Sequence, residues 1–244
     1  MRLALFDLDG TLLDGDHDLE WALHLSAKGL VAEAPIRRFM VDYERGELDI
    51  EAFCDWQLAP LGVHPGERLE AWRAEYFTLR IRPRLRAWVR ALLERHIALG
   101  HTVALITAAN RFLTEPTAAH LGGVPLIATE PERVGGRFTG RWEPPPCFRQ
   151  GKLAHLERWL AGRGARWSDV EESWAYSDSI NDLPLLSRAD HPVVVAGDAR
   201  LSVEACRRGW IQLDAHGRSL PRPGQARDRA WPPTPPGRGP ARPR

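Results

Sequence analysis

Lysine is scarce in this chain of 244 residues, since it supplies only two of the 33 basic side chains, Lys28 and Lys152. Arginine supplies the rest, so any chemistry that needs a compact ammonium group has two candidate positions. Cysteine is also rare, with three widely spaced residues at Cys54, Cys147 and Cys206. This odd, dispersed set excludes a disulfide framework and a zinc knuckle, and it predicts a reducing, cytoplasmic location.

Long apolar runs are absent as well. No run approaches the roughly 18 residues of a transmembrane helix, so we expect no interaction with a membrane. The N-terminal apolar run stops at Asp7, which is too early for the core of a signal peptide. The apolar fraction of 43% nevertheless predicts a globular protein with a substantial core.

The small net charge of +1 is an average over two unlike parts. Residues 221–244 hold eight of the 20 prolines, six arginines and one acidic residue, a charge of about +5. Because this composition cannot bury a core, we expect residues 217–244 to form a disordered Pro/Arg-rich tail. Such a tail can bind nucleic acid or an SH3-like protein, but the remaining chain, at about −4, argues against a nucleic-acid surface.

Short apolar runs alternate with helical patterns over most of the chain, which predicts a parallel sheet with helices on both faces. This is an α/β, Rossmann-like architecture. We expect a core formed by residues 1–14 and 83–216. The predicted strands are 2–6, 101–106, 172–177 and 191–195, the predicted helices are 84–99 and 152–162, and a Gly-rich hairpin is predicted at 133–143.

Residues 15–82 break this alternation, because they contain only helical patterns. We predict a small helical cap that is inserted after the first strand. Its position matters because loops at the carboxyl ends of parallel strands form the ligand crevice. The predicted cap helices are 18–28, 35–45, 49–58 and 66–80.

Asp7, Asp9 and Gly10 form the first of four motifs that follow predicted strands. One carboxylate can attack phosphorus to give an acyl phosphate. The second carboxylate can protonate the leaving alcohol and then deprotonate water. Gly10 permits a close approach of the backbone to phosphoryl oxygens. Alone, the motif is equally compatible with an ordinary acidic turn.

The second and third motifs contribute donors. Thr107 and Ala108 follow a predicted strand, where a hydroxyl and free amides can bind an anion, although Thr is also a common helix cap. Lys152 precedes a predicted helix, and its ammonium group can stabilise phosphate as a point charge. Its scarcity favours this interpretation over a surface lysine.

The fourth motif, Tyr176 to Asp182, places Asp178, Asn181 and Asp182 after another predicted strand. One carboxylate of this loop can bind Mg²⁺, which prefers hard oxygen ligands and retains water, while the second supports it. Asn181 and Asp182 are also good capping residues, so a solvated helix start is the structural alternative.

Taken together and in this order, the motifs DLDGT, T, K and DSxND resemble those of the haloacid dehalogenase superfamily. The cap is similar to that of the phosphoserine phosphatase-like subgroup. Segments such as TAANRF and CFRQGK resemble its histidinol-phosphatase-annotated branch. One departure is Ser179, where phosphoserine phosphatases commonly carry glycine.

The resemblance implies a role for each matched residue. Asp7 would be the nucleophile and Asp9 the general acid and base. Thr107 and Lys152 would bind the phosphoryl group. Mg²⁺ would be bound by Asp7, by the backbone carbonyl of Asp9 and by Asp178, with support from Asn181 and Asp182.

Residues around the crevice are weaker candidates. Arg45 and Arg111 are candidate ligands for a substrate carboxylate or a second phosphate. Asp16, Asp18 and Glu20 can contact a substrate amine, but a solvated helix N-terminus is their expected role. The predicted role of the cap tryptophans is packing rather than substrate binding; they are Trp21, Trp56 and Trp72.

These observations predict a Mg²⁺-dependent phosphomonoesterase that acts through an aspartyl-phosphate. The expected substrate is a small phosphate ester similar to phosphoserine or histidinol phosphate. One alternative is a phosphotransferase or mutase acting on a sugar phosphate. The other is a non-catalytic interaction protein that uses its basic tail. Oligomeric state is not predicted.

Overall fold

The computed structural model describes residues 1–220, so residues 221–244 of the predicted tail lie outside the described part. The first four residues of that tail are ordered, which corrects the predicted boundary. Leu220 donates its main-chain N–H to the carbonyl oxygen of Gln212 at 2.8 Å. Gly217 lies against the ring of Trp88. Residues 217–220 therefore belong to the folded part.

One parallel sheet organises the molecule. Six strands form it in the order β3-β2-β1-β6-β7-β8, and each neighbouring pair is parallel. The predicted Rossmann-like sheet is thereby confirmed, with the strand order reversing at β1, where such folds bind ligands. In chain order the strands are β1 (Arg2–Phe6), β2 (Thr102–Asn110), β3 (Leu126–Thr129), β4 (Pro131–Val134), β5 (Arg137–Trp142), β6 (Glu172–Ser177), β7 (His191–Val195) and β8 (Ile211–Leu213).

Helices cover both faces of the sheet, as predicted. The α-helices of residues 1–220 are α1 (His17–Ala27), α2 (Glu33–Arg45), α3 (Ile50–Val63), α4 (Gly66–Tyr76), α5 (Ala87–Ala98), α6 (Arg111–His120), α7 (Gln150–Ala161), α8 (Leu183–Arg188) and α9 (Ala199–Arg208). Leu92 and Leu93 of α5 are buried on one face, and Leu156 and Leu160 of α7 on the other. In the described part, no helix has the length and hydropathy that a membrane span requires.

Helices α1 to α4 lie between β1 and α5, within the segment where a cap is predicted. Asp16 begins α1 by accepting a hydrogen bond from the main-chain N–H of Leu19 at 2.7 Å. Trp21, which is fully buried, packs with Tyr76 and with Phe112 of the core helix α6. The cap therefore shares an apolar cluster with the core.

The Gly-rich segment forms the predicted hairpin, β4 and β5, which packs against α3 of the cap. A Cβ atom at Gly62 would lie 2.5 Å from the carbonyl oxygen of Thr139, so glycine permits this close approach. The indole N–H of Trp142 donates to Asp55 Oδ1 at 3.0 Å. The hairpin therefore connects the core to the cap.

Several elements differ from the sequence prediction. β3, β8 and α8 contain four, three and six residues, too few for a periodic apolar pattern, and none of them is predicted. α9 is also missed, because only Leu201 and Ala205 of its ten residues are buried. β2 continues to Asn110, four residues beyond the predicted end. Its pairing with β3 shifts between Ile106 and Asn110, as at a β-bulge.

Candidate active site

A cavity of about 200 Å³ lies between the carboxyl ends of the strands and the cap helices. The core side is polar and the cap side is largely apolar. The core contributes Asp7, Asp9, Thr107, Ala108, Phe148, Lys152, Asp178, Ser179, Asn181 and Asp182 to its lining. The four motifs, far apart in the sequence, therefore meet at one site.

Lys152 connects two of these motifs directly. Its Nζ atom lies 2.7 Å from Asp7 Oδ1 and 2.6 Å from Asp182 Oδ2, and the residue is 2% exposed. Ser177 donates a further hydrogen bond to Asp182 Oδ2 at 2.7 Å. Lys152 reaches this position because it lies in the first turn of α7, whose N-terminus points at the cavity. One ammonium group is therefore shared by two buried carboxylates.

Burial and mutual charge determine the pKa values of Asp7 and Lys152. It raises the pKa of Asp7 well above its usual range, although the Lys152 ammonium opposes that rise. Burial alone would lower the pKa of Lys152, but the carboxylates of Asp182 and Asp7 raise it above its ordinary value. Lys152 therefore remains a cation at neutral pH.

Asp178 lies directly against Gly10. A Cβ atom at position 10 would be 2.0 Å from Asp178 Oδ2, and Gly10 has a φ of +71°. Thr11 donates to Asp178 Oδ1 at 2.9 Å, while burial raises the pKa of Asp178 to about 7. The N–H of Gly10 is bound to the carbonyl oxygen of Gly15 at 2.9 Å. Gly10 therefore makes space for Asp178, and its own N–H is used within the loop, while its predicted role beside phosphate stays a prediction.

Thr107 and Ala108 lie in the irregular segment of β2 and line the cavity, as a phosphate-binding role requires. Thr107 Oγ1 accepts a hydrogen bond from the N–H of Ala109 at 3.2 Å. Its own O–H can therefore donate to a phosphoryl oxygen.

Asp9 is more exposed than Asp7, with 19% of its side chain accessible. Its Oδ1 atom accepts from the main-chain N–H of His17 at 2.8 Å and lies 2.5 Å from His17 Nδ1. His17 is therefore the immediate neighbour of the predicted general acid.

The cap side of the cavity combines aromatic rings with two carboxylates. The ring of Phe39 lies 5.3 Å from that of Phe53 and 5.4 Å from that of Trp56. Asp16 and Asp18 also line the cavity, and burial raises the pKa of both, that of Asp16 to about 6. Trp56 is therefore not confined to packing, and the two acids are not simply a solvated helix start.

Two contacts connect α2 and the loop after it to the core beside the cavity. The Tyr43 hydroxyl lies 3.1 Å from Ser179 Oγ. Arg149 donates to Asn181 Oδ1 at 2.9 Å and to the carbonyl oxygen of Gly46 at 3.2 Å. Ser179, the departure from the family pattern, therefore contacts the cap.

The two weaker arginine candidates lie outside the cavity lining. The guanidinium of Arg111 binds Glu130 through two nitrogens and also donates to the carbonyl oxygen of Leu126 at 2.9 Å. A substrate-binding role of Arg111 therefore stays a prediction, and its guanidinium is bound to Glu130 in this structure. Arg45 is an exposed residue at the end of α2, and the structure gives it no contact with the cavity.

Sequence reasoning missed His17, Arg149 and the wall formed by Phe39 and Phe53. Helical spacing placed Phe39 on the same face as Tyr43, which was a usable signal for one side of the cap. No local pattern pointed to His17 or Arg149.

Comparisons with known proteins agree with this geometry. Residues 4–187 match the family of haloacid dehalogenase-like hydrolases. The chain is 38% identical over 218 residues to a histidinol-phosphatase of Neisseria meningitidis serogroup C (strain 8013), covering 87% of this chain and 98% of the relative. It is 31% identical over 214 residues to phosphoserine phosphatase SerB1 of Mycobacterium tuberculosis (strain ATCC 25618 / H37Rv), covering 85% and 68%.

Solved structures show the same fold. A protein of unknown function from Bordetella pertussis Tohama I superposes with a TM-score of 0.81 at 42% identity, covering 88% of this chain and 98% of that one. A substrate-bound phosphoserine phosphatase superposes with a TM-score of 0.62 at 20% identity, covering 83% and 90%. The predicted family and the prediction of an enzyme are confirmed. This chain belongs to the haloacid dehalogenase-like hydrolases.

Proposed function

We propose that this protein is a Mg²⁺-dependent phosphomonoesterase that acts on a small metabolite through an aspartyl-phosphate on Asp7. One observation carries the proposal. Asp7, held by the buried Lys152, lies in the same small cavity as Asp9 and Asp178. This arrangement supports a reaction in which Asp7 is the nucleophile, Asp9 the general acid and base and Asp178 a cation-binding carboxylate.

The first half-reaction uses both carboxyl groups of the first motif. The Asp7 carboxylate attacks phosphorus while the bond between phosphorus and the ester oxygen breaks. Asp9 gives its proton to that oxygen, so the alcohol leaves neutral. Lys152 and Thr107 stabilise the charge on the phosphoryl oxygens.

The second half-reaction restores the enzyme. Asp9, now a carboxylate, takes a proton from a water molecule that attacks the phosphorus of the acyl phosphate. The bond between phosphorus and the Asp7 oxygen breaks, and phosphate leaves. In a phosphotransferase, an acceptor hydroxyl would replace this water.

The charge balance of the site fits a divalent cation. Two carboxylates, Asp7 and Asp182, contact the single ammonium group of Lys152, and burial raises the pKa of Asp7 and of the nearby Asp178. A divalent cation would offset the cost of ionising these buried acids. Mg²⁺ would be held by Asp7, Asp178 and the carbonyl oxygen of Asp9, a small set that suits its retained waters. Residues 1–220 contain no cluster of three or more His, Cys, Asp or Glu side chains that could hold a metal ion by themselves. When bound, the ion would neutralise charge on the phosphoryl group.

The far side of the cavity favours a cationic alcohol as the leaving group. Asp16 and Asp18 lie there beside the rings of Phe39 and Phe53, and a cationic leaving group would stabilise their ionised forms against the burial that raises their pKa values. Among the described residues that line the cavity, Lys152 is the only Lys or Arg, and two carboxylates bind it. A substrate carboxylate would therefore lack a cationic partner. These features support a histidinol-phosphate-like ester over phosphoserine.

A substrate panel tests the proposal. Release of phosphate from L-histidinol phosphate, O-phospho-L-serine and p-nitrophenyl phosphate is measured with Mg²⁺ and with EDTA. We expect Mg²⁺-dependent turnover, with the highest kcat/KM on L-histidinol phosphate. Asp7→Asn should abolish turnover, whereas Asp14→Asn, at an exposed position of the same loop, should not. Undiminished turnover by Asp7→Asn would remove the proposed nucleophile.

The proposed binding of a substrate cation by Asp16 and Asp18 has its own test. Asp16→Asn keeps a side chain that can cap α1 but removes the negative charge. We expect it to raise KM for L-histidinol phosphate and to leave KM for p-nitrophenyl phosphate nearly unchanged. An equal rise for both esters would contradict a cation-binding role.

A further inference from the structure

The mechanism proposed above requires Asp9 to present its proton towards the leaving group, and it leaves one neighbour of Asp9 without a role. That neighbour is His17, the first residue of α1, whose side chain is fully buried. Both its main-chain N–H and its ring contact the same oxygen of Asp9, Oδ1, at 2.8 and 2.5 Å. Within residues 1–220, no hydrogen bond is made to the other oxygen, Oδ2.

The second ring nitrogen of His17 has a partner in the core. Nε2 lies 2.9 Å from Oγ1 of Thr117, a buried residue of α6. A neutral imidazole has one N–H donor and one acceptor nitrogen. When the Thr117 hydroxyl donates to Nε2, Nδ1 carries the proton and donates to Asp9.

The main chain of His17 is held from a third direction. The hydroxyl of Tyr76, which is buried in the cap, donates to the carbonyl oxygen of His17 at 2.9 Å. The imidazole is thus held between the first helix of the cap and α6 of the core. Few rotamers are open to a side chain so enclosed, so its hydrogen bond to Asp9 is pre-organised.

We propose that Thr117 and His17 form a positioning relay that holds Oδ1 of Asp9 as an acceptor and leaves the catalytic proton on Oδ2, facing the ester. The inference rests on the proposed phosphatase function. In the first half-reaction, the proton on Oδ2 passes to the ester oxygen as that oxygen takes the electron pair of its bond to phosphorus. In the second, Oδ2 recovers a proton from water. His17 and Thr117 keep their own protons throughout, so His17 is a positioning residue.

The leaving group provides the test. Phenyl phosphate and p-nitrophenyl phosphate have similar shapes, but phenolate is the poorer leaving group and depends more on protonation. kcat/KM reports the steps through the release of the alcohol, so it isolates the role of Asp9 as an acid. We therefore measure kcat/KM for both esters, with Mg²⁺, in the full chain.

Two variants of His17 differ in whether the side chain can donate a hydrogen bond to Asp9. Asn has a side-chain N–H close to the place of Nδ1, whereas Leu has a similar size and no donor. We expect His17→Leu to lower kcat/KM on phenyl phosphate about 10- to 100-fold and on p-nitrophenyl phosphate less than about 3-fold. His17→Asn should recover most of the loss on phenyl phosphate. Equal losses on the two esters, or no recovery by Asn, would overturn the relay.

Thr117, the other residue of the relay, has a matched control in Thr114 on the same helix. Thr117→Val removes the hydroxyl beside Nε2 and should show the same dependence on the leaving group, with a smaller loss. Thr114→Val removes a buried hydroxyl that bonds only the carbonyl oxygen of Asn110, and it should leave the ratio of the two esters unchanged. Identical behaviour of the two Val variants would contradict a role for Thr117.

Nitrogen-15 NMR of the imidazole rings tests the direction of the relay in the wild-type protein, with a readout that does not depend on turnover. The His17 signals are identified by their absence from His17→Asn. We expect a protonated Nδ1 and an unprotonated Nε2, and the reverse assignment would overturn the proposed direction. A protein that hydrolyses neither ester would instead contradict the phosphatase function, and the relay with it.

Discussion

Replacing Lys152 by methionine tests the idea that its ammonium group is the counter-ion of the buried carboxylates of Asp7 and Asp182. Methionine keeps the length of the side chain and removes the charge. Because Lys152 contacts Asp7 and Asp182 at 2.7 and 2.6 Å and is 2% exposed, its removal leaves two buried carboxylates without a counter-ion. Breaking a buried pair in this way costs about 3–5 kcal/mol.

The measurement is the free energy of unfolding from urea titrations in EDTA, so that no cation replaces the lost charge. At pH 7 we expect a deficit of about 3–5 kcal/mol for Lys152→Met. The control is the other lysine: Lys28 bonds Glu75 at 2.7 Å, but the two side chains are 29% and 44% exposed. Lys28→Met should therefore cost less than about 1 kcal/mol.

The loss of unfolding free energy in Lys152→Met should also change with pH in a defined direction. Burial, Asp182 and Asp178 all raise the pKa of Asp7, and Lys152 opposes them, so the folded-state pKa rises further in Lys152→Met. The folded variant then binds a proton at a higher pH than the unfolded chain does, and this uptake stabilises it as the pH falls. The deficit should therefore shrink from about pH 8 towards pH 5.

Three results would refute this reasoning. The first is a deficit no larger than that of Lys28→Met, and the second is a deficit that grows as the pH falls. The third concerns the double variant Lys152→Met with Asp182→Asn, which lacks one of the unpaired carboxylates. It should be more stable than Lys152→Met alone, because the two sites are coupled. Additive losses would show that they are not.

Two further predictions concern other positions. Gly10→Ala places a Cβ atom 2.0 Å from Asp178 Oδ2 and should lower Mg²⁺-dependent kcat at least about 10-fold. Gly29→Ala, with a similar φ of +72° but an open environment, should cost stability without changing kcat. Burial lowers the pKa of His96 to about 3, so its neutral form stabilises the fold, and this contribution is lost as the pH falls below about 6.5. Thermal unfolding of His96→Gln should therefore show a weaker acid dependence than the wild type, whereas that of the exposed His216→Gln should not.

The core side of the cavity could be predicted because strand ends converge. Asp7, Thr107 and Asp178 each follow or end an apolar run, and the carboxyl ends of parallel strands share one edge of the sheet. Lys152 was found through its rarity and its place at a helix start. Local patterns were therefore enough to identify residues whose position depends on sheet topology alone.

Residues positioned by long-range contacts could not be predicted in this way. His17 and Thr117 are 100 positions apart, and nothing in the spacing around either residue indicates the other. The same holds for Arg111, because its partner Glu130 lies 19 positions away and no local pattern indicates their contact. An arginine in an Arg-rich chain carries no local sign of whether its charge is already neutralised.

Gly10 shows a different limit. Its φ of +71° explains why glycine occupies this position, as the turn in the motif suggested. The close contact was assigned to phosphate, whereas the structure assigns it to the carboxylate of Asp178. A requirement for glycine thus identifies a close approach without identifying the approaching group.

The chemistry of the ammonium group explains why lysine, rather than one more arginine, occupies position 152. An ammonium has three donors, and Asp7 and Asp182 accept two of them at 2.7 and 2.6 Å. In the proposed mechanism the third donor would bind a phosphoryl oxygen of the substrate, and the planar fork of a guanidinium is a poorer match for three partners that surround one nitrogen. Lys28, on the surface of the cap, meets no such constraint, and arginine could replace it there. The single enclosed lysine in an Arg-rich chain is therefore the position where geometry, and not charge alone, selects the residue.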